Sequence, residues 1–383
     1  MACFELTEEQ RMLRDMVREF ARNEIEPNAA EIDETCEYPM ETVKKMAELG
    51  LLGIPFPEAY GGAGMDTMSL ALALEEVAKA CASTCLSIAA HMSLCATPIY
   101  LFGNEEQKKK YLTPLAQGRS LGSFCLTEPG SGSDAAAAKT TATLQGDHYL
   151  LNGSKVYVTN AGLADYFVVF AKTAPELGFN GMSAFIVEKA FEGISVGRKE
   201  DKLGVRASDT RSVMFENCKV PKENLLGEEN KGFRQALITL DGGRIGIGAM
   251  ALGLAQAAME KAAAYAHERE AFGKPIAEFQ AIKWMIADMA TEIHGARLMV
   301  HHAAQLRDQG KPFTKEAAMA KLFASETAMR ATKNGIQIFG GYGFTKDYPM
   351  ERYWRDAKLT VIGEGTSEIQ RLVISRAILS EFA

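Results

Sequence analysis

The chain has 383 residues, of which 47% are hydrophobic, enough to fill two or three packed units. Its net charge of -7 argues against a nucleic-acid binder, because no segment gathers the basic residues that neutralise a phosphate backbone. A local basic site for one phosphorylated ligand stays compatible with this charge, since such a site depends on a few placed groups.

Residues 1 to about 120 show helical periodicity. Thr7 and Gln10 form a capping box that begins the first helix. The apolar residues expected on the core-facing side of this helix are Leu13, Met16, Val17 and Phe20. Residues 68–102 are small and apolar nearly all round, which predicts a buried helix pair.

From about residue 121 the pattern changes to short β-rich runs separated by Gly, Asn or Asp turns, which is typical of antiparallel sheets. The predicted strands are 140–144, 149–151, 155–158, 167–171, 184–187 and 212–215. Helical patterning resumes near Gly232 and continues through 256–269, 279–309, 315–339 and 367–382. We therefore predict an α+β fold with an N-terminal all-α domain (1–120), a middle β domain (121–228) and a C-terminal α-helical domain (229–383).

The cysteines form neither a CxxC pair nor a Cys/His zinc ladder, so we predict that they are reduced and hold no metal. They are Cys3, Cys36, Cys81, Cys85, Cys95, Cys125 and Cys218. We expect Cys81 and Cys85 to be small buried apolar residues on one helical face. The sequence shows no secretory signal and no apolar run of about 20 residues, which predicts a cytoplasmic protein without a membrane span.

A glycine- and serine-rich segment, Phe124 to Asp134, stands at the entry to the β region. Its glycines permit close backbone approach and its hydroxyls suit a phosphate or a flavin edge, although many such loops are simple turns. The glycine-rich segments lack the strand-and-helix context of a Rossmann fingerprint, which disfavours NAD as the primary redox cofactor.

The sequence Asp241-Gly242-Gly243-Arg244 opens a long helical pattern. Its arginine suits either a structural ion pair or a ligand carboxylate or phosphate. The six histidines stand at no recognisable catalytic spacing, and neither a G-x-S-x-G elbow nor an H-E-x-x-H helix occurs. The commonest hydrolase and zinc-protease functions are therefore disfavoured.

Glu364 stands between two glycines, after an apolar run and before a helix that Thr366 or Ser367 can cap. A glutamate flanked by glycines is usually a solvated loop residue. The apolar residues on both sides indicate instead a loop anchored against a core. A carboxylate that is partly desolvated there has a raised pKa and can act as a base.

Taken together and in this order, these motifs resemble the acyl-CoA dehydrogenase family over essentially the full length. The matching stretches are 126–134 (LTEPGSGSD), 158–160 (VTN), 241–244 (DGGR), 269–273 (REAFG), 337–341 (QIFGG) and 363–371 (GEGTSEIQR). Residues 198–204 and 315–321 are most similar to the short-chain, butyryl-CoA type of the family.

The resemblance implies a β-barrel-like middle domain, a C-terminal four-helix bundle, a homotetramer, and FAD held between the last two domains. In the family pattern, the residues that contact the flavin of the same subunit are Phe124, Leu126, Thr127, Ser133, Tyr157, Val158 and Thr159, with Thr366 and Glu368 also lining the cofactor. The residues that reach the FAD of a neighbouring subunit are Arg269, Phe272, Gln280, Gln337, Ile338, Gly340 and Gly341. The residues placed around CoA are Ser133, Asp241, Arg244 and Gly365.

The implied reaction is the α,β-dehydrogenation of a short acyl-CoA to trans-2-enoyl-CoA, as in fatty acid β-oxidation. Glu364 removes the α-proton, FAD accepts the β-hydride, and an electron-transfer flavoprotein takes the electrons. The developing enolate needs hydrogen bonds to the thioester oxygen, which in this family come from the amide of the base and from the ribityl chain of FAD.

Two residues depart from the family pattern. Tyr157 stands where many members have Trp, and Gly363 where many have Tyr, and both changes bear on access to the flavin. Some members carry the base near the 241–244 motif, but Gly242 and Gly243 offer no carboxylate there. Glu364 is therefore the candidate base.

Three alternatives stay open at the level of sequence. The first is the same chemistry on a branched, cyclic or dicarboxylic acyl-CoA, although residues 81–95, the expected acyl pocket, contain no Arg or Lys to bind a distal carboxylate. The second is an acyl-CoA oxidase that passes electrons to oxygen. The third is a non-catalytic protein that binds acyl-CoA or flavin.

Overall fold

The computed structural model describes residues 5–383, so Cys3 lies outside the described residues. The first helix begins with the predicted capping box, in which the Thr7 hydroxyl accepts from the Gln10 N–H at 3.2 Å and the Gln10 side chain accepts from the Thr7 N–H at 3.0 Å. Leu13 and Val17 are buried as predicted, but Met16 is 36% exposed. Met16 is turned away from the core because adjacent helical positions differ by about 100°.

From residue 5 onward, eight α-helices precede the sheet. They are α1 (Glu8–Phe20), α2 (Ala29–Thr35), α3 (Met40–Glu48), α4 (Thr67–Ala80), α5 (Ala82–Ala89), α6 (Thr97–Phe102), α7 (Glu105–Gln107) and α8 (Thr113–Ala116). The Asp66 carboxylate caps α4 by accepting from the Ser69 N–H at 2.7 Å. Helices α4 and α5 are buried nearly all round, as their composition predicts.

The central sheet has eight strands in the order β6-β7-β3-β2-β4-β5-β8, with β1 paired to β4. The strands are β1 (Gly122–Cys125), β2 (Thr141–Gln145), β3 (His148–Thr159), β4 (Tyr166–Lys172), β5 (Met182–Glu188), β6 (Ile194–Lys199), β7 (Thr210–Pro221) and β8 (Leu225–Leu226). Most of the pairings are antiparallel, as the pattern indicates, but β1 and β2 each pair with β4 in parallel. The predicted strands 149–151 and 155–158 are one continuous strand, β3, whose pairing with β7 shifts register between Leu151 and Gly153 and again between Lys155 and Val158.

The C-terminal part is a helical bundle. Its elements are α9 (Gly232–Glu268), the hairpin β9 (Glu270–Ala271) and β10 (Lys274–Pro275), α10 (Gln280–Asp308), α11 (Thr314–Phe339), α12 (Gly341–Phe344), α13 (Met350–Thr360) and α14 (Ser367–Ser380). Helix α11 packs against α9, α10, α13 and α14, whereas α9 also packs against α4 and α5. The N-terminal and C-terminal helices therefore share one core, and the far face of the sheet forms a second.

Two segments, Ala82–Phe102 and Gly232–Glu268, are long and apolar enough to cross a membrane by length and composition alone. Core helices of folded proteins pass the same test, so length and composition alone do not indicate a membrane span. In each segment 78% of the apolar window is buried inside the protein, as in the core helices of a folded domain.

The contact between α4 and α9 depends on Gly253. A Cβ atom at this position would lie 2.3 Å from the Glu75 carbonyl oxygen and 2.8 Å from the Ala78 Cβ atom. We predict that Gly253→Ala forces the two helices apart and lowers the free energy of unfolding by about 1–3 kcal/mol, measured by denaturant titration.

The matched control is Gly295→Ala on α10, where the nearest atom is the edge of the Phe323 ring at 3.3 Å. A ring edge can move, and alanine favours a helix over glycine, so this variant is expected to keep or gain stability. Equal stability of the two variants would contradict the role given to Gly253.

Candidate active site

The turn between α13 and α14 carries Glu364. Its backbone is left-handed, with φ of 53° at Glu364 and 95° at Gly365, and the Gln370 side-chain amide donates to both carbonyl oxygens. Thr366 caps α14, as the sequence indicated, by accepting from the Ile369 N–H at 3.3 Å. Because a non-glycine residue seldom adopts this conformation unaided, the surrounding contacts must hold the turn.

The Glu364 carboxylate is turned inward. Its Oε2 atom is buried and has no hydrogen-bond partner within residues 5–383. A Cβ atom on Gly243 of α9 would lie 2.0 Å from this oxygen, so only glycine leaves room for it. Burial raises the pKa of Glu364 to about 7, while the cations of Lys321 and Arg244 act in the opposite direction. A carboxylate in this setting can accept a proton near neutral pH.

Arg244 lies within α9 and not at its start, because the helix already begins at Gly232. The predicted return of helical structure near Gly232 is confirmed, and residues 241–244 lie inside that helix rather than opening it. The guanidinium pairs with the Asp241 carboxylate at 2.5 Å, and Asp241 also accepts from the Thr314 hydroxyl at 2.6 Å. The Arg244 Nε atom is buried without a partner in the described part of the chain, so the ion pair leaves donor capacity free.

The glycine- and serine-rich loop after β1 lies against β3. The Val156 N–H donates to the Thr127 carbonyl at 2.9 Å, and the Ser123 hydroxyl donates to the Thr159 carbonyl at 2.7 Å. These bonds bring together the predicted flavin contacts of this region, which are Phe124, Leu126, Thr127, Tyr157, Val158 and Thr159. Ser133 stands at the exposed tip of the same loop.

A buried ion pair fixes this loop from below. The Lys155 ammonium group donates to the Glu128 carboxylate at 2.7 Å and to the Leu126 carbonyl at 3.1 Å. Glu128 also accepts from the backbone N–H groups of Lys139 and Thr140. Burial by itself raises the pKa of Glu128, but Lys155 and these hydrogen bonds bring it below its ordinary value. The loop is thus held in one conformation.

Tyr157 lies at the β-bulge of β3. The register shift between Lys155 and Val158 gives its backbone a φ of 56° and leaves its side chain 70% exposed, while Val158 is buried. A bulge of this kind re-aims one side chain out of the strand. The tyrosine ring therefore stands at the surface beside the loop.

The residues predicted to reach the FAD of a neighbouring subunit lie at the end of the helical bundle where α9 and α11 terminate. A cavity of about 430 Å³ is lined by Arg269, Ile338, Gly340 and Gly341, beside the stacked rings of Tyr265 and Phe339. Gln337 precedes this cavity on α11, and Gln280 begins α10; both are exposed.

The hairpin β9–β10 projects from this end of the bundle. At its tip Phe272 has a φ of 54° and is 95% exposed. A large apolar ring in this position has no cover within the described chain, as at a surface that meets a ligand or another subunit.

Three residues of the site lacked a sequence signal strong enough to assign them. Lys155 and Lys321 are fully buried cations, visible in the sequence only as charged residues inside apolar segments. The sequence shows only that Gly243 offers no carboxylate. Its contact with Glu364 joins segments far apart in the chain. Within residues 5–383, no group of three or more His, Cys, Asp or Glu side chains is placed to hold a metal ion.

Family models match the chain over three consecutive ranges. They are the N-terminal domain of acyl-CoA dehydrogenase at residues 7–119, the middle domain at 123–218 and the C-terminal domain at 230–379. The chain belongs to the acyl-CoA dehydrogenase family. The resemblance inferred from the motifs and the predicted α+β fold are both confirmed.

Individual relatives agree with this assignment. The short-chain specific acyl-CoA dehydrogenase of Clostridium acetobutylicum is 55% identical over 98% of this chain and 99% of its own. The solved butyryl-CoA dehydrogenase of Megasphaera elsdenii is 46% identical, with a TM-score of 0.97 over 98% of this chain and 100% of its own. A chain in a structure described as the electron transferring flavoprotein of Acidaminococcus fermentans is 53% identical, with a TM-score of 0.97 over 98% of this chain and 99% of its own. This protein is thus similar over its full length to acyl-CoA dehydrogenases named for short acyl chains.

The cofactor of this acyl-CoA dehydrogenase is FAD. A family member from Bacillus anthracis, solved in complex with FAD, is 40% identical, with a TM-score of 0.93 over 98% of this chain and 68% of its own. The geometry here fits a flavin, because the loop after β1 is fixed by Lys155 and the exposed Tyr157 ring stands beside it. Arg269, at the cavity of about 430 Å³, suits a pyrophosphate.

The packing of Gly243 against Glu364 gives a test of the site. We predict that Gly243→Ala displaces the carboxylate and lowers the rate of acyl-CoA dehydrogenation by about 10- to 100-fold, because a small misplacement of a reacting group has a large effect on rate. Steady-state kinetics with butyryl-CoA measures the change, and FAD content is expected to stay normal.

The control is Gly242→Ala, where the obstructing atom is the end of the flexible Arg307 side chain, at 2.6 Å from the added Cβ atom. We expect a smaller loss of rate in this variant. Equal losses in the two variants would mean that the space beside the carboxylate is not what matters.

Proposed function

We propose that this enzyme oxidises short, straight-chain acyl-CoA thioesters to trans-2-enoyl-CoA, with Glu364 as the base that removes the α-proton. The observation that carries the proposal is the buried Oε2 atom of Glu364, which has no partner within residues 5–383 and faces Gly243 of α9. A carboxylate left without a hydrogen bond inside a protein is costly, which supports a functional reason for its position.

Residues of this chain would perform the proton transfer. Burial raises the pKa of Glu364 to about 7, so its conjugate acid retains the proton better than an ordinary glutamic acid. The left-handed turn at Glu364 and Gly365 fixes the direction of the side chain. FAD, when bound, supplies the acceptor for the β-hydride.

Two sets of residues are proposed to hold FAD. The first is the loop set of Phe124, Leu126, Thr127, Ser133, Tyr157, Val158 and Thr159, together with Thr366 and Glu368. The second is the cavity set of Arg269, Phe272, Gln280, Gln337, Ile338, Gly340 and Gly341, which would serve the FAD of a neighbouring subunit. The exposed ring of Phe272 supports a subunit contact at this end, and we propose a homotetramer.

The substrate proposal rests on the surroundings of the carboxylate. Leu94, in the segment that follows α5, lies 3.1 Å from the position of a Cβ atom on Gly243. An apolar side chain so near the base suits a short unbranched acyl group, and residues 81–95 contain no cation for a distal carboxylate. Ser133, Asp241, Arg244 and Gly365 are proposed to contact the CoA portion of the substrate.

An electron-transfer flavoprotein is the proposed acceptor of the electrons. The proposed compartment is the cytoplasm, which the free state of the cysteines in the described chain supports. Rapid peroxide formation without a protein acceptor would indicate an oxidase instead.

The decisive variant is Glu364→Gln, which keeps the size of the side chain and removes its proton acceptor. We predict that butyryl-CoA still binds while the rate of flavin reduction falls by at least about 10² to 10⁴, the usual contribution of a general base. Anaerobic stopped-flow absorbance measures reduction, and equilibrium titration measures binding. The exposed carboxylate of Glu381 provides the control, since Glu381→Gln should reduce normally. Near-normal reduction in the Glu364 variant would assign the base elsewhere.

Arg269 tests the cavity set. Its guanidinium lies 6.0 Å from the centre of the Tyr342 ring at the cavity wall. We predict that Arg269→Ala loses FAD more readily on dilution and dissociates at higher protein concentration than the wild type, because a pyrophosphate loses its charged partner. FAD fluorescence and analytical ultracentrifugation measure the two effects. Arg234→Ala, near the opposite end of α9, is the control; unchanged FAD retention in the Arg269 variant would remove this residue from the site.

A further inference from the structure

Lys321 is a buried cation that the reaction as described does not use. It lies on α11 with none of its surface exposed, and its ammonium group donates to the Gly365 carbonyl at 2.7 Å. The charged groups that face it are Glu364, Arg244, Glu326 and Glu368. Among the residues described, none of these carboxylates approaches its nitrogen to within the 4.0 Å of an ion pair. The charge is therefore buried beside the base without a direct anionic partner.

The carbonyl group that accepts from Lys321 is that of Gly365, in the turn that carries Glu364. Gly365 accepts from two buried side chains, the ammonium group of Lys321 and the amide of Gln370 at 2.9 Å. Glu364, the preceding residue, has a left-handed backbone that is uncommon outside glycine. Contacts that hold an unfavourable backbone conformation are often part of a functional site.

The two cations near Glu364 differ in their own partners. Arg244 is permanently charged and pairs with Asp241. Within residues 5–383, Lys321 donates only to the Gly365 carbonyl. Of the two cations, Lys321 lowers the pKa of the Glu364 carboxylate more strongly. Burial lowers the pKa of Lys321 to about 8, and the charge of Glu364 opposes this effect. An ionised Glu364 and a charged Lys321 therefore favour each other.

We propose that Lys321 is a positioning residue for proton abstraction, in which its ammonium group fixes the turn that carries Glu364 and presents a positive charge to the ionised carboxylate. This inference rests on the proposed function, because it requires Glu364 to be the base. It assigns to α11 a direct part in setting the working pH of the reaction.

The test is the pH dependence of flavin reduction in Lys321→Met holoenzyme, measured by anaerobic stopped flow with butyryl-CoA. The reaction requires ionised Glu364, so the wild-type rate should rise as the pH passes upward through about 7. Without the opposing cation, burial acts more fully on the carboxylate, and the rise should move about one pH unit higher. At neutral pH the rate should fall roughly fivefold, and most of the loss should disappear in alkaline solution.

Two further variants separate charge from packing. Lys321→Arg keeps the positive charge and should keep the wild-type pH profile. Ser325→Ala, on the same helix, removes a buried hydrogen bond of 2.8 Å to the Thr360 carbonyl but changes no charge. It should lower the thermal unfolding temperature and leave the pH profile in place.

The result that overturns the inference is a Lys321→Met profile that coincides with the wild type while Glu364→Gln is inactive. If Glu364→Gln reduces flavin normally, the proposed function itself fails, so the two failures are distinguishable. Should Lys321→Met not fold, Lys321→Gln takes its place, since it retains a donor for the Gly365 carbonyl but no charge. The same upward shift is expected of it, and an unshifted profile refutes the charge role.

Discussion

The close approach of α9 to its neighbours is the constraint on which the rest of the structure depends. At Gly253 the helix meets α4 at a distance that excludes a Cβ atom, and at Gly243 it meets the carboxylate of Glu364 in the same way. Helix α9 thus contacts both α4 in the N-terminal part and the turn that follows α13. Because packed interiors transmit small displacements, the position of the carboxylate depends on how well this whole helix is seated.

A buried carboxylate also has a thermodynamic cost. The folded-state pKa of Glu364 is raised from 4.5 to about 7, so between these values the folded protein binds more protons than the unfolded chain. The contribution of this group to stability is therefore present at low pH and is lost as the pH rises through about 7. Lys321 and Arg244 limit this loss. The same burial that suits Glu364 to its proposed role as a base thus destabilises the fold at the pH where its carboxylate is ionised.

Much of the fold follows from local patterns in the sequence. The capping box at Thr7 and the long C-terminal helices were predicted within about two residues, because caps and periodicity are local signals. The wrong predictions concern features that depend on contacts between segments distant in the sequence. The parallel pairing of β1 with β4 depends on how the chain enters the sheet, and residues 241–244 lie inside α9 rather than opening it. For the candidate site, the buried setting of Glu364 was predictable from the apolar residues that flank it. The parts of Lys155, Lys321 and Gly243 were not, since each acts through a partner far away in sequence.

The buried pair of Lys155 and Glu128 has a consequence for how sequences of this kind can change. Removing either partner alone leaves an uncompensated charge in the interior, which usually costs several kcal/mol, whereas replacing both with apolar residues is often tolerated. Glu128 has a second role, because its carboxylate also accepts hydrogen bonds from the backbone N–H groups of Lys139 and Thr140. An apolar double replacement would leave those two donors unpaired. The two backbone N–H groups therefore require a carboxylate at position 128, and a carboxylate there requires the ammonium group of Lys155. A substitution at either position alone is expected to destabilise the protein.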